Sequence, residues 1–515
     1  MSRTRRTLGS VALIGAGPGD AGLLTVRGAA LLAAAEVVVT GPLVSPELLD
    51  ALGPDVEVIG RDDDPSTAAD IVRAVVARAR DGRPVARLFA GDPFLLSHGA
   101  ATAEALAKAK IPFEVVPGVP AATAVPAYAG IPVTAGRAGG GVTVVGLDGD
   151  LEQQLDWHEL ATTDRTVVLL GAGASIGKAA ARLVEHGRRG DTPVAVTAWG
   201  TTAQQRSVVS TLDHIEADAA AAGVVAPSVT VVGDVVRLRE RLSWFESKPL
   251  FGWKVLVPRT RAQAGALSAE LRALGATPVE VPTIAVEPPR TPAPMERAIK
   301  GLVSGRYQWV AFTSTNAVKA VREKLEEVGL DARAFAGVRI AAVGDATADA
   351  LRAFGIRPDL EPTGEQSSEG LLADWAPYDD VFDPIDRVFL PRADIATETL
   401  VAGLKERGWA VDDVTAYRTV RAAPPAAAVR ESLKGGGFDA VLFTSSSTVR
   451  NLVGIAGKPH ESTVLAAIGP QTAATVRELG LRVDVQAPSP SVAELVSALA
   501  AFAVERRLAA ADSAG

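Results

Sequence analysis

Phe312-Thr313-Ser314-Thr315-Asn316-Ala317-Val318 returns further along the chain as Phe443-Thr444-Ser445-Ser446-Ser447-Thr448-Val449. The flanking units return with it. Val257-Pro258-Arg259-Thr260 matches Leu390-Pro391-Arg392-Ala393, and Val343-Gly344-Asp345-Ala346-Thr347-Ala348 matches Ile468-Gly469-Pro470-Gln471-Thr472-Ala473, all at offsets of about 130 residues. The back half is therefore a duplication, which implies two similar α/β lobes with a ligand cleft between them.

At 515 residues the chain is too long for one hydrophobic core, and three or four domains are expected. Apolar residues make up 48%, enough to fill them. The formal net charge is −8 with both signs dispersed, which argues against nucleic acid as a partner while allowing a locally basic cleft. Cysteine is absent, so disulfides, thiolate catalysis and zinc–thiolate sites are excluded, and a reducing cytoplasm suits the composition. The start is basic, but its apolar segment at 11–14 is interrupted by Gly15-Ala16-Gly17-Pro18-Gly19 before it could form a signal core. No apolar run of about 18 residues is present, so no membrane span is expected.

Short β-rich runs alternate with Ala- and Leu-rich helical patterns, the signature of α/β layers. Strands are predicted at 10–14, 36–40, 85–89, 113–116, 142–146, 166–170 and 193–198, with helices at 24–35, 67–81 and 98–109. A break at 244–252 precedes the strand opening at Lys254, which places a domain boundary at 247–252. Two extended stretches, 283–289 and 414–420, read as a pair of inter-lobe linkers.

Gly15, Gly17, Pro18, Gly19 and Asp20 form a turn directly after the strand at 11–14. Glycines there let the backbone approach a ligand and turn its N–H groups toward it. A nicotinamide site would need an acidic residue at the end of the next strand, where Thr40-Gly41 stands instead. The turn has company: Gly91-Asp92-Pro93-Phe94, Val116-Pro117-Gly118-Val119, the run 126–134, Trp199-Gly200-Thr201-Thr202 and 231–236. In this order the set resembles the tetrapyrrole methylases, uroporphyrinogen-III C-methyltransferase in particular, over about 10–246. The resemblance implies a two-subdomain α/β region spanning 8–246 and S-adenosylmethionine as cofactor. That cofactor would lie against Pro18, Ala90, Gly91, Asp92, Leu95, Pro120, Ala121, Leu170 and Gly200. It also implies a homodimer through this domain. Four departures stand out. The family's Tyr-Asp pair reads Thr40-Gly41, its lysine reads Arg61, its Lys-Gly reads Phe89-Ala90, and its His-Arg reads Ala135-Gly136. Methyl transfer to carbon needs a group to take the displaced proton, and these changes leave that base unassigned. Two readings stay open, an active methylase and a non-catalytic domain that binds S-adenosylmethionine or acts as a scaffold.

The repeat units of the back half, with Ala416-Tyr417-Arg418-Thr419 between them, resemble uroporphyrinogen-III synthase over about 253–503. That family has two flavodoxin-like lobes joined by a two-stranded ribbon. The resemblance implies a domain at 253–505, with lobe one formed by 253–282 plus 422–503 and lobe two by 290–413. It implies closure of a linear hydroxymethylbilane to uroporphyrinogen III with inversion of the last ring, a reaction needing neither metal nor cofactor. Tyr417 is the expected proton donor to the departing hydroxyl, with Thr472 beside it as the second catalytic candidate. Thr313, Ser314, Ser445 and Ser446 sit where strand-to-helix turns would grip carboxylates, and Arg259 and Arg392 open the paired units just after a strand. The bland alternatives are helix capping for the hydroxyls, packing for Tyr417 and solvated charge for the arginines.

The five histidines form no metal-ligand spacing, and His98 either lines the cofactor pocket or caps the next helix. The aspartates at 374, 379, 380, 383 and 386 read as a solvated connection, and the tail after Arg507 is expected to fray. A tetrapyrrole is the expected small-molecule partner. A bilobal solute-binding protein is the alternative from another class, since two lobes around a cleft describe such receptors too.

Overall fold

The computed structural model describes residues 8–60, 67–136, 139–147, 155–171, 175–259 and 261–514. The chain divides into two compact units, one of Met1–Lys254, Ala269–Pro278 and Val496–Gly515, the other of Val255–Ser268 and Val279–Leu495.

The first unit opens with β1 Val11–Gly15, β2 Val37–Val39, β3 Glu57–Ile59, β4 Val85–Phe89 and β5 Phe113–Val116. They form an all-parallel sheet in the order β3-β2-β4-β1-β5. Every residue of β1 and β4 is buried, as central parallel strands covered on both faces require. One face is covered by helices Val26–Ala33 and Pro46–Asp50, whose Leu32 and Leu48 pack on Ala12, Ile14 and Leu88. The other is covered by Ala68–Arg80 and Gly99–Lys108, whose Val75 and Leu106 pack on Leu13, Val85 and Phe89. The chain thus leaves β1 and β4, which are neighbours, toward opposite faces, and the carboxyl ends of this pair form a topological switch point.

A second sheet follows, from β6 Val142–Gly146, β7 Thr166–Leu170, β8 Pro193–Ala198, β9 Arg206–Thr211 and β10 Ser228–Val232, in the order β6-β7-β10-β8-β9. Its β6–β7 pair is parallel and the rest antiparallel. β3, β9 and β10 go beyond the strands expected from the sequence. β3 is only three residues long, and β9 alternates too weakly to stand out from a polar loop.

The remaining strands are β11 Lys254–Val257, β12 Thr277–Glu280, β13 Ile284–Glu287, β14 Trp309–Phe312, β15 Arg339–Ala342, β16 Arg387–Ala393, β17 Ala410–Arg421, β18 Ala440–Phe443, β19 Val464–Ala467 and β20 Val485–Gln486. They make two sheets, ordered β12-β11-β18-β19-β20 and β13-β17-β16-β14-β15. Each copy of the duplicated phrase ends a strand and starts a helix. Phe312 closes β14 before Thr315–Glu327, and Phe443 closes β18 before Ser446–Ala456. The two extended stretches expected as linkers are β13 and the second half of β17. They pair antiparallel, Ile284 opposite Arg421 through Glu287 opposite Arg418, while the first half of β17 runs parallel to β16.

Two expectations change. The tail after Arg507 does not fray. It continues the helix Val492–Ala514, and Arg507 donates to the Lys248 and Pro249 carbonyls at 3.0 and 2.8 Å. Asp383 is not solvated: it is buried and faces Arg339 at 3.6 Å. Within the first unit, Leu250 N–H donates to Leu274 O and Thr277 N–H to Trp253 O, which ties 269–278 to it.

Candidate active sites

In the first unit the turns after β1, β4 and β5 meet backbone to backbone. Gly17 and Gly91 exchange two hydrogen bonds, Gly91 N–H to Gly17 O at 2.8 Å and Gly17 N–H to Gly91 O at 3.3 Å. Both have φ of +77°, which favours glycine. A Cβ on Gly118 would fall 2.2 Å from Gly91 O and 2.6 Å from the Gly15 Cα, so no other residue fits there. Asp92 holds the turns together, its carboxylate accepting from Phe94, Leu95 and Gly118 N–H at 2.8, 3.1 and 3.0 Å. The result is a cradle of backbone at the switch point, with Pro120 and Ala121 at the start of the helix Ala121–Tyr128 beside Gly91.

Leu95, with Phe94 and Leu96, is exposed at the rim of this cradle, and Leu170 ends β7 half-buried. Gly200 packs against Val125, where a Cβ would come within 2.4 Å of a methyl group. Ala90 is exposed between β4 and Gly91, and Pro18 is half-buried in the first turn. Gly19 lies against Thr201 and Thr202. Asp20 serves the turn itself. Its carboxylate caps Gly22 N–H at 2.8 Å and accepts the Tyr128 hydroxyl at 2.7 Å, so it braces the turn from behind. Burial and this carboxylate push the Tyr128 phenol well above its ordinary range. His98 stands exposed at the start of its helix with no side-chain cap. Arg61 lies outside the described residues. Among those residues no His, Cys, Asp or Glu cluster suits a metal ion.

Sequence reasoning passed over Arg87, in the middle of β4. It is 8% exposed, donates to Val39 O at 3.3 Å, and lies 4.8 Å above the Phe89 ring. Among the described residues its Nε has no hydrogen-bond partner, and burial pushes the guanidinium down to about 10, still charged at neutral pH. The signal was present as an Arg inside a run that is otherwise apolar, Val85-Ala86-Arg87-Leu88-Phe89.

In the second unit four helices begin just after parallel strands: Thr315–Glu327 after β14, Asp345–Ala353 after β15, Ser446–Ala456 after β18 and Pro470–Glu478 after β19. Ser314 caps the first, accepting from Ala317 N–H at 3.1 Å. Its hydroxyl is also 3.0 Å from the Tyr417 hydroxyl, a contact between residues 103 apart in sequence. Tyr417 stands where β17 changes partner. Ala393 faces Tyr417 while Arg392 faces Thr415, a bulge that re-aims the side chain. A cavity of about 410 Å³ opens beside it, lined by Ile284, Val286, Met295, Asn316 and Lys319 among others.

Ser445 caps the helix Ser446–Ala456 in a reciprocal box with Thr448. Ser446 links two helix starts, donating to Gln471 O at 3.2 Å and accepting from Thr475 at 2.9 Å. Thr472 lies in the first turn of Pro470–Glu478 and is buried, and Thr313 is half-buried after β14. Thr444, the counterpart of Thr313, has a buried hydroxyl without a hydrogen-bond partner. Arg259 is half-buried just past β11. Arg392 does not stand as an open cation. Its guanidinium is bonded to both Asp413 oxygens, to Glu398 at 2.8 Å and to Thr397 O at 2.5 Å, which raises its pKa further. Those groups occupy the fork a substrate carboxylate would need.

A switch-point glycine cradle followed by a duplicated pair of α/β sheets defines a two-part α/β protein with a separate ligand region in each part. The tetrapyrrole (corrin/porphyrin) methylases match residues 10–216, and uroporphyrinogen-III synthase HemD matches 265–497. The "Porphyrin biosynthesis protein HemD" of Ruminiclostridium josui is 34% identical over 484 residues, covering 92% of this chain and 94% of that protein. The "S-adenosyl-L-methionine-dependent uroporphyrinogen III methyltransferase" of Methanosarcina barkeri is 42% identical over 241 residues, 45% of this chain and 94% of its own. The uroporphyrin-III C-methyltransferase of Thermus thermophilus, solved with S-adenosyl homocysteine, is 30% identical over 45% of this chain and 94% of its own, with a TM-score of 0.39. The chain belongs to the family of the porphyrin biosynthesis protein HemD, joining a tetrapyrrole methylase domain to a uroporphyrinogen-III synthase domain. This sets aside a solute receptor.

Proposed function

We propose that this protein catalyses two consecutive steps of tetrapyrrole biosynthesis. The back half closes hydroxymethylbilane to uroporphyrinogen III, and the front half methylates that product on carbon, toward precorrin-2. What carries the reading is the match of both halves, nearly end to end, to one relative named for porphyrin biosynthesis.

In the synthase half a flexible polyanion must be held folded while water leaves its hydroxymethyl carbon, so positioning dominates. The positive ends of these four helices, with Thr313, Ser314, Ser445 and Thr444, suit the substrate's carboxylates. Tyr417 gives its phenolic proton to the departing hydroxyl as the C–O bond breaks, and Ser314 stabilises the phenolate by donating to it. Arg259 and Thr472 flank the strand ends. Arg392 supports them from beneath, holding β16 to β17 through Asp413.

In the methylase half the cradle of Gly15, Gly17, Gly91 and Gly118 has the open backbone that S-adenosylmethionine needs, and Asp92 keeps its turns in register. When bound, that cofactor supplies a methyl group on a positively charged sulfur. Gly17, Pro18, Ala90, Leu95, Pro120, Ala121, Leu170 and Gly200 hold it. A cysteine-free chain suits a reducing cytoplasm, and we infer a homodimer through the methylase domain.

A second reading keeps the synthase and makes the front half a binding module, favoured by Thr40-Gly41 in place of an acidic residue. Purified protein given hydroxymethylbilane, with and without S-adenosylmethionine, separates the two when oxidised products are resolved by chromatography and mass. Type III isomer with added methyl groups is expected. Type III without methyls leaves the binding module, and type I alone at the spontaneous rate removes the synthase assignment.

A further inference from the structure

β4 is a central strand buried on both faces, and at its third position it carries a cation instead of an aliphatic side chain. The parallel register sets Arg87 between Leu13 of β1 and Val39 of β2, in the layer under the helices Ala68–Arg80 and Gly99–Lys108. An isolated buried charge is costly enough that native proteins pair it or use it. Among the described residues Arg87 makes no ion pair. Its bonding there is one hydrogen bond to a carbonyl and the face of one aromatic ring, and Nε is left without an acceptor.

The direction of the side chain tells where an anion would come from. Val39 is the last residue of β2 and Phe89 the last of β4, and the guanidinium touches both. It therefore leans along β4 to the carboxyl edge of the sheet, the edge that bears Gly91 and the glycine cradle. Two residues past Val39, at the end of β2, the edge is open: a Cβ built on Gly41 meets nothing within 4 Å. A buried cation with unused donor capacity, aimed at the edge where open α/β sheets take their ligands, is a receptor for an anion.

We propose that Arg87 receives a carboxylate of a bound ligand at the carboxyl ends of β2 and β4, either the amino-acid carboxylate of the nucleoside cofactor or an acidic side chain of the macrocycle. The inference rests on reading the cradle as the methylase site, and it makes Arg87 a ligand-binding residue there. A guanidinium suits the task because two parallel N–H groups can meet both oxygens of a carboxylate.

The test uses the full-length chain with Arg87→Met and Arg87→Lys. Binding of S-adenosylhomocysteine and of uroporphyrin III, the stable oxidised macrocycle, is measured by calorimetry, alongside thermal unfolding without ligand. For Arg87→Met we expect one of the two ligands to bind at least tenfold more weakly and the other to stay within twofold, which identifies the carboxylate. Because the variant removes an uncompensated charge, the transition that ligand shifts should lie at the wild-type temperature or about 2 °C above it. Arg87→Lys, which keeps charge without the fork, should fall between. Unchanged affinity for both ligands in Arg87→Met overturns the inference. So does a lower melting temperature with both affinities reduced together, the mark of a packing residue. If the wild-type protein binds neither ligand, the reading of the cradle itself fails, and Arg87 with it.

Discussion

Replacing Tyr417 by Phe removes a single hydroxyl, and the surroundings say how much should follow. The ring is buried in the core cluster formed by Phe312, Val318, Ala342 and Val414 among others, and Phe fills the same space. The hydroxyl's hydrogen bond is to Ser314, at 3.0 Å. Ser314 keeps its bond to Ala317 N–H in the variant, so the helix Thr315–Glu327 stays capped. Stability should fall by about 0.5–1.5 kcal/mol, the net worth of one hydrogen bond between neutral groups. The catalytic effect should be larger. A positioned general acid contributes about 10²–10⁴ in rate, and because water also leaves the hydroxymethyl carbon unaided, the lower end applies: about 10²-fold, or ~2.7 kcal/mol in the barrier. The assay is the initial rate of type III isomer formation from hydroxymethylbilane, separated from spontaneous type I, with urea unfolding on the same samples. Ser314→Ala is the control. It retains the phenol, should cost about 1 kcal/mol as a lost cap, and should slow the reaction less than Tyr417→Phe. Type III formation by Tyr417→Phe within twofold of wild type would refute the proton-donor role, leaving Tyr417 as packing.

Gly118→Ala should separate the cradle's backbones, since its Cβ would lie 2.2 Å from Gly91 O. We expect a loss of about 1–3 kcal/mol in stability and no measurable S-adenosylhomocysteine binding by calorimetry, and wild-type affinity would contradict the cradle. Arg392→Met leaves Asp413 and Glu398 without their cation. Since the Asp413 side chain is 34% exposed and that of Glu398 75%, the cost should be about 1–3 kcal/mol, below that of a fully buried pair. A raised KM at unchanged stability would mean that Arg392 touches substrate after all. Hydrogen bonds from Arg78 and then Arg83 hold the Glu57 carboxylate below its ordinary pKa. Its contribution is therefore present above the unfolded value of about 4.5 and lost as pH falls through the folded value. Melting temperatures of Glu57→Gln between pH 6 and 3 should decline less steeply than wild type; parallel curves would show the pairs contribute nothing.

Much of this molecule is legible in local pattern. Runs such as Val11-Ala12-Leu13-Ile14 and Thr166-Val167-Val168-Leu169-Leu170 declare buried strands, and the repeated Phe-Thr-Ser phrase declares a strand end followed by a capped helix. These features depend on side-chain periodicity and on capping within a few residues, so they survive without knowledge of the fold. Family resemblance likewise follows from ordered short motifs, and the glycine cradle is announced by residues that only a close backbone approach would require.

Partner choice across the fold is another matter. Nothing near Tyr417 in sequence indicates Ser314, and the bulge at Ala393 that aims the ring exists only once β16 and β17 are paired. Arg259 and Arg392 open matching repeat units, yet Arg392 is bonded to Asp413, a residue on the neighbouring strand. Nothing near Asp20 in sequence indicates Tyr128, whose hydroxyl donates to it, and nothing near Arg507 indicates the carbonyls at 248 and 249 that accept from it. Arg87 is the sharpest case. Its sequence says only that a charge interrupts an apolar strand, and only the packed sheet decides that no carboxylate among the described residues pairs with it. Local sequence determined the elements and their order, because backbone geometry and capping are short-ranged. Which charges are neutralised and which are left to meet a ligand was decided by tertiary structure, because burial and pairing depend on strands and helices brought together from far along the chain.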